Sequence, residues 1–188
     1  RRQRQMCIRD RCWDRGRRMK HISTRQLALC AVLTALALGL STLENLFPVT
    51  LLIPLPGVKL GLANIVTVFA LYQLGAGAAL AILLTRCLLG GLFAGNLSAM
   101  LFSVLGGLTA MLVMIFLRRL PKLSVYGVSI GGAAAHNIGQ MAAAVITLGS
   151  TMVLGYLPFL LAVSLFTGAL TGFITALLLR ATRHIRFH

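Results

Sequence analysis

From residue 27 onward the chain is a succession of long apolar runs separated by short clusters of Pro, Gly, Asn and basic residues. The runs show no strand-like alternation, and several approach the roughly twenty residues that a helix needs to cross a bilayer core. Six helices are predicted, at Leu27–Thr42, Leu60–Leu74, Ala76–Leu92, Leu97–Leu117, Val125–Leu148 and Tyr156–Leu179. The breaks carry the usual punctuation. Pro48, Pro54, Pro56 and Gly57 end the first run, Gly75 and Gly77 the second, Gly95-Asn96 the third and Pro121 the fourth; Gly149, Ser150 and Gly155 end the fifth. A re-entrant stretch near Leu51–Leu60 is compatible with the same pattern.

The basic residues orient this count. Lys20 and Arg25 precede the first helix, Arg118, Arg119 and Lys122 lie between the fourth and fifth, and Arg180, Arg183 and Arg186 follow the sixth. With six spans all eight fall on one face, which the positive-inside rule makes cytoplasmic, and both termini lie there. Five or seven spans would split the clusters. The expected class is an all-α polytopic membrane protein of six transmembrane helices, multi-pass in the cell membrane, with residues 19–188 forming a single transmembrane domain.

Composition agrees. Apolar residues make up 58% of the 188, charged ones 11%, and mean hydropathy is +0.89. That is too little charge to cover a water-facing surface. The acids are Asp10, Asp14 and Glu44, so no paired-carboxylate hydrolase or carboxylate metal site can be built from the body of the chain, and neither metal nor cofactor is expected. Residues 1–18 read differently: eight Arg, two Asp and no apolar run. One reading is a disordered basic arm on the cytoplasmic side. The other, which the string Met6–Arg11 (MCIRDR) supports, is a gene-model artefact upstream of a start at Met19; removing eight positive and two negative charges lowers the formal +15 to +9. Cys7 and Cys12 belong to that arm, while Cys30 and Cys87 lie in apolar runs without zinc or disulfide spacing.

Small residues recur every fourth position in three helices. Gly127, Gly131, Ala135, Gly139 and Ala143 in the fifth, and Ser164, Gly168 and Gly172 in the sixth, are expected to pack inside the bundle. Ala31, Ala35 and Gly39 in the first have two readings, internal packing or docking of a partner subunit. No convincing internal repeat is visible, which argues against an inverted-repeat transporter.

Polar groups inside spans are costly, roughly 2.5–3.5 kcal/mol for a charge at the helix centre, so each asks for a reason. Arg86 lies in the outer half of the third helix, Glu44 closes the first, Lys59 opens the second and Asn64 sits one turn deeper. Asn96 follows the third helix; His136 and Gln140 share a face of the fifth, beside Asn137. Arg86 is read either as snorkelling or pairing with Glu44, or as a ligand group; the fifth-helix residues either as interhelical hydrogen bonds or as ligand groups. Glu44 and Lys59 taken alone read as solvated interfacial charges. Under six spans, Glu44, Lys59, Asn64, Arg86, Asn96, His136, Asn137 and Gln140 converge on the outer half of the bundle. That convergence favours an outward-open pocket for an anionic or strongly polar small molecule. No G-x-x-x-x-G-K-[ST] occurs, and Glu44 is the sole candidate for a membrane acid relay, so any energy for transport must come from another subunit.

The stretches LENLFP (43–48), PLPGVKLGLANIVTVFALY (54–72), RCLLGGLFAGNLSAMLFSVLGG (86–107) and HNIGQ (136–140) carry a resemblance. They look like the bacterial Gx transporter family, also described as heptaprenyl diphosphate synthase component I, over about residues 19–186. That family in turn resembles the six-helix S components of energy-coupling-factor transporters. The resemblance implies a substrate-binding subunit for a metabolite or vitamin precursor, docking through Ala31, Ala35 and Gly39 onto a transmembrane coupling subunit with ATPases. The family's second description implies a non-catalytic membrane component beside a heptaprenyl diphosphate synthase. Prenyl synthases hold magnesium with aspartate-rich motifs, and the only aspartates here are Asp10 and Asp14. The expectation is therefore a binding subunit rather than an enzyme, its partners a small-molecule substrate, the lipid bilayer and energising subunits, and no nucleic acid.

Overall fold

The computed structural model describes residues 24–46 and 61–183. These form six α-helices: α1 (Thr24–Leu46), α2 (Leu62–Gln73), α3 (Ala76–Ala94), α4 (Leu97–Arg118), α5 (Val125–Leu148) and α6 (Leu157–Ala181), with a 3₁₀ turn at Thr151–Tyr156 before α6. The six predicted helices are all present, with ends shifted by a few residues. The basic arm (1–18), Lys20, Lys59, Arg186 and the Leu51–Leu60 stretch lie outside the described residues.

Local chemistry sets the boundaries. Gly75, at φ 91°, makes the tight reversal between α2 and α3, a conformation that a side chain would strain. Gly95, at φ 61°, stops α3, and Asn96 next to it starts α4 by accepting a hydrogen bond from Ala99 N at 3.1 Å. Ser124 caps α5 in the same way, and Pro158 sits in the first turn of α6, where no N–H is needed.

α2 is the centre. Its residues Ile65 to Leu71 are buried on every side, the pattern of a helix enclosed by others. Around it α1 packs on α3, α3 on α4, α4 on α5, α5 on α6, and α6 returns to α2, with α4–α5 and α5–α6 the most extensive contacts. Val68, Leu71, Ile82, Leu83, Met111 and Val128 join four helices in one core. The outer surfaces are the reverse of a soluble protein: Leu92, Phe93, Leu112, Ile146 and Phe166 are all more than two-thirds exposed. Among the described residues, four segments are long and apolar enough to cross a membrane: Thr24–Glu44, Ala76–Ala94, Leu97–Arg118 and Thr151–Ala181. α5 has the length, but His136, Asn137, Gln140 and its glycines dilute its apolar character. α2, with 12 residues, is about 18 Å long, well short of a hydrocarbon core of about 30 Å.

The small-residue stripes of α5 and α6 are packing surfaces. A Cβ on Gly139 would meet Thr109 Oγ1, Leu105 O at 2.7 Å and Gly106 Cα at 2.9 Å, all on α4; one on Gly168 would meet Ile130 Cα at 2.7 Å on α5. The absent side chains let these backbones approach and gain dispersion and polar contacts. Thr109 uses the approach, its hydroxyl lying 3.0 Å from Ala135 O across the α4–α5 seam.

Candidate functional site: the Arg86 cleft

Helices α1, α3 and α4 diverge around a cleft of about 230 Å³. Its floor and walls are mostly small or apolar: Leu38, Gly90, Gly91, Ala94 and Ala99, with the hydroxyls of Ser41, Thr42 and Ser103. The charged group in this lining is Arg86. Its guanidinium turns inward, Nη2 donating to Asn64 Oδ1 at 3.1 Å, so α2 and α3 are tied at this depth. Arg86 Nε is buried and has no acceptor among the described residues. The Glu44 carboxylate is near enough to act on Arg86 through space. A guanidinium at membrane depth with one neutral acceptor keeps unused donor capacity beside a cleft, which suits an anion or a strongly polar acceptor.

Glu44 has a further partner. It is buried, and Oε1 accepts the Gly61 N–H at 2.7 Å, so a carboxylate from α1 caps the start of α2. Asn96 is exposed and serves as the α4 cap. His136 and Gln140 both lie over Gly106, where an added Cβ would come within 3.0 Å of His136 Cε1 and 2.8 Å of Gln140 Cγ. Asn137 turns the other way and donates from Nδ2 to Leu160 O at 2.8 Å, joining α5 to α6. The structure thus brings Glu44, Asn64 and Arg86 to one end of α2, sets His136 and Gln140 against α4, and points Asn137 at α6. Lys59 lies outside the described residues.

The Ala31 and Ala35 positions on α1 are exposed and line a second groove of about 500 Å³ against Ala81, Ile82, Thr85 and Leu89 of α3. Gly39 is also exposed, with no atom near an added Cβ. Two features escape sequence reasoning. Ser41, Thr42 and Ser103 line the cleft, yet hydroxyls in apolar helices carry no signal because most bond their own backbone, as Thr42 does to Leu38 O. Arg118, which reads as one more loop cation, donates through Nη1 to the buried Leu71 carbonyl and lies 5.0 Å from the Tyr72 ring centroid.

Apolar outer surfaces, a buried central helix and the inward-turned Glu44 and Arg86 define an all-helical membrane protein with a polar site between its helices. Its family follows from comparison: the model for heptaprenyl diphosphate synthase component I matches residues 33–178, and the chain belongs to that family. No curated protein matches it, and no solved structure does.

Proposed function

We propose that this chain is the membrane-embedded binding subunit of a transporter for a small anionic or strongly polar molecule. It is of the S-component type, energised by a transmembrane coupling subunit and ATPases. In this reading all six helices lie in the cell membrane, the basic end and both termini face the cytoplasm, and the Arg86 cleft takes the ligand from outside. The carrying observation is the Arg86 guanidinium, held by Asn64 and lining a cleft between three helices. An arginine kept inside a bundle, bonded to a neutral acceptor and with Glu44 acting on it only through space among the described residues, is costly, and an anion in the cleft would offset that cost. In the proposal Glu44 acts beside Arg86, while His136 and Gln140 lie over Gly106 on α4 outside the cleft lining, and the exposed Ala31, Ala35 and Gly39 form the docking stripe. The chain carries no P-loop, so ligand release depends on partners.

The family description favours a second reading, a non-catalytic membrane component that works beside a heptaprenyl diphosphate synthase. The aspartates that would hold magnesium for such chemistry are missing from residues 19–188, so the catalyst in that case is another chain.

One experiment separates the two. The full chain is purified from its native membranes in mild detergent and examined by native mass spectrometry, beside an Arg86→Gln variant. A retained anionic small molecule that falls at least about tenfold in the variant, with ATPases co-purifying, supports the binding subunit. A soluble aspartate-rich prenyltransferase in place of the ATPases supports the second reading. Ligand retention equal in both proteins removes Arg86 from the site.

A further inference from the structure

The end of the bundle opposite Glu44 holds another cavity, separate from the Arg86 cleft. Gln73 Nε2, at the close of α2, donates to Thr182 Oγ1 at 3.2 Å, and Thr182 N and Oγ1 both bond Leu178 O, so the turn after α6 is fixed against the central helix. This places Arg180 and Arg183 beside the start of α5. Between them lies a cavity of about 320 Å³ with Arg180, Arg183 and Ser124 at its rim and Tyr126, Ala176 and Leu179 along its side.

Three properties of this cavity point to one class of ligand. Both arginines are exposed and three residues apart, so like charges sit together. The chain's acids are Asp10, Asp14 and Glu44; among the described residues the one carboxylate, Glu44, caps the other end of α2 and cannot neutralise them. Second, the wall below the charges is apolar, and Phe173, one turn before Ala176 on the same stripe of α6, is half exposed. Third, Tyr126 is 40% exposed at the same level, the position of an aromatic side chain at a membrane–water interface. Charge above and hydrocarbon-compatible surface below match a phosphate head group joined to acyl chains, and basic pockets between helices at an interface bind such heads. We infer that this α5–α6 cavity is a binding site for an anionic phospholipid, with Arg180 and Arg183 on the phosphate.

The site is independent of the Arg86 reading, and its test is too. The full-length protein in detergent micelles is titrated with phosphatidylglycerol, phosphatidylcholine or inorganic phosphate, and bound lipid is counted by native mass spectrometry. The wild type is expected to retain phosphatidylglycerol over phosphatidylcholine. The double variant R180Q/R183Q should lose that retention about tenfold or more, while R119Q/K122Q, two cations removed elsewhere on the same end, should change it less than about threefold. R180K/R183K keeps the charge and should retain most of the binding, which guards against loss by misfolding. Equal losses in the two Gln double variants would mean diffuse surface attraction and overturn the site. So would unchanged binding in R180Q/R183Q, or complete displacement of lipid by millimolar inorganic phosphate, which would make it a soluble-anion site instead.

Discussion

A single methyl group at Gly139 tests how this bundle is held. In a Gly139→Ala variant the new Cβ would sit 2.7 Å from Leu105 O and 2.9 Å from Gly106 Cα, against an ordinary contact of 3.4 Å or more. These are backbone atoms and cannot rotate aside, so α4 and α5 must part by about 0.7 Å, a gap that forfeits a quarter to a half of each dispersion contact along the seam. The Thr109 hydroxyl, now 3.0 Å from Ala135 O, would be carried beyond hydrogen-bond range. Interhelical hydrogen bonds in membranes are worth about 0.6 kcal/mol, and overpacking typically costs about 1–3 kcal/mol, so Gly139→Ala should destabilise by roughly 2–3 kcal/mol. The control is Gly39→Ala, where nothing lies near an added Cβ; it should be neutral or slightly stabilising, since alanine is the better helix former. The assay is reversible unfolding of the purified protein in mixed micelles by SDS titration, followed by helical circular dichroism. Equal stabilities for Gly139→Ala and Gly39→Ala would refute the close α4–α5 approach.

Two further outcomes follow from the ends of α2. Arg118→Met leaves the buried Leu71 carbonyl without its donor and should lower unfolding free energy by about 1–3 kcal/mol in the same titration. Glu44→Ala removes the acceptor for Gly61 N and should cost about 1–3 kcal/mol, whereas Glu44→Gln keeps an acceptor oxygen and should cost less than half as much; equal losses in the two variants would show that the charge, not the hydrogen bond, holds the cap.

The helices were legible because the signals that define them are local. A run of apolar residues closed by Gly95-Asn96 or Gly149-Ser150 specifies a helix and its end without reference to the rest of the fold. The stripes on α5 and α6 were legible for a related reason: a four-residue period of Gly, Ala and Ser has few uses in an apolar helix besides close packing. The polar residues were harder. Asn137 and Gln140 are three apart on one helix, yet one bonds Leu160 O on α6 and the other lies over Gly106 on α4. Periodicity places residues on faces of a helix, but which neighbour each face meets is decided by tertiary packing. The same limit explains Arg118, whose position beside Arg119 and Lys122 looks like an ordinary basic loop until α2 is found to end underneath it.

The short length of α2 gives the charges at its ends their separate meanings. A helix of 12 residues packed among longer ones has its terminal N–H and C=O groups shielded by its neighbours. Both ends need polar partners from neighbours. Glu44 of α1 supplies the acceptor at the start, and Arg118 of α4 the donor at the end, each also favourable to the helix dipole. Those two charges are accounted for by the fold alone. Arg86 is not: it caps nothing, and its guanidinium donates to the neutral side-chain oxygen of Asn64. A Gln at this position could bond Asn64 without the cost of placing a charge at membrane depth. Glu44 offsets that charge in part through space, and the proposed site rests on the remainder, with the cleft beside Arg86 as the place where an anion would sit.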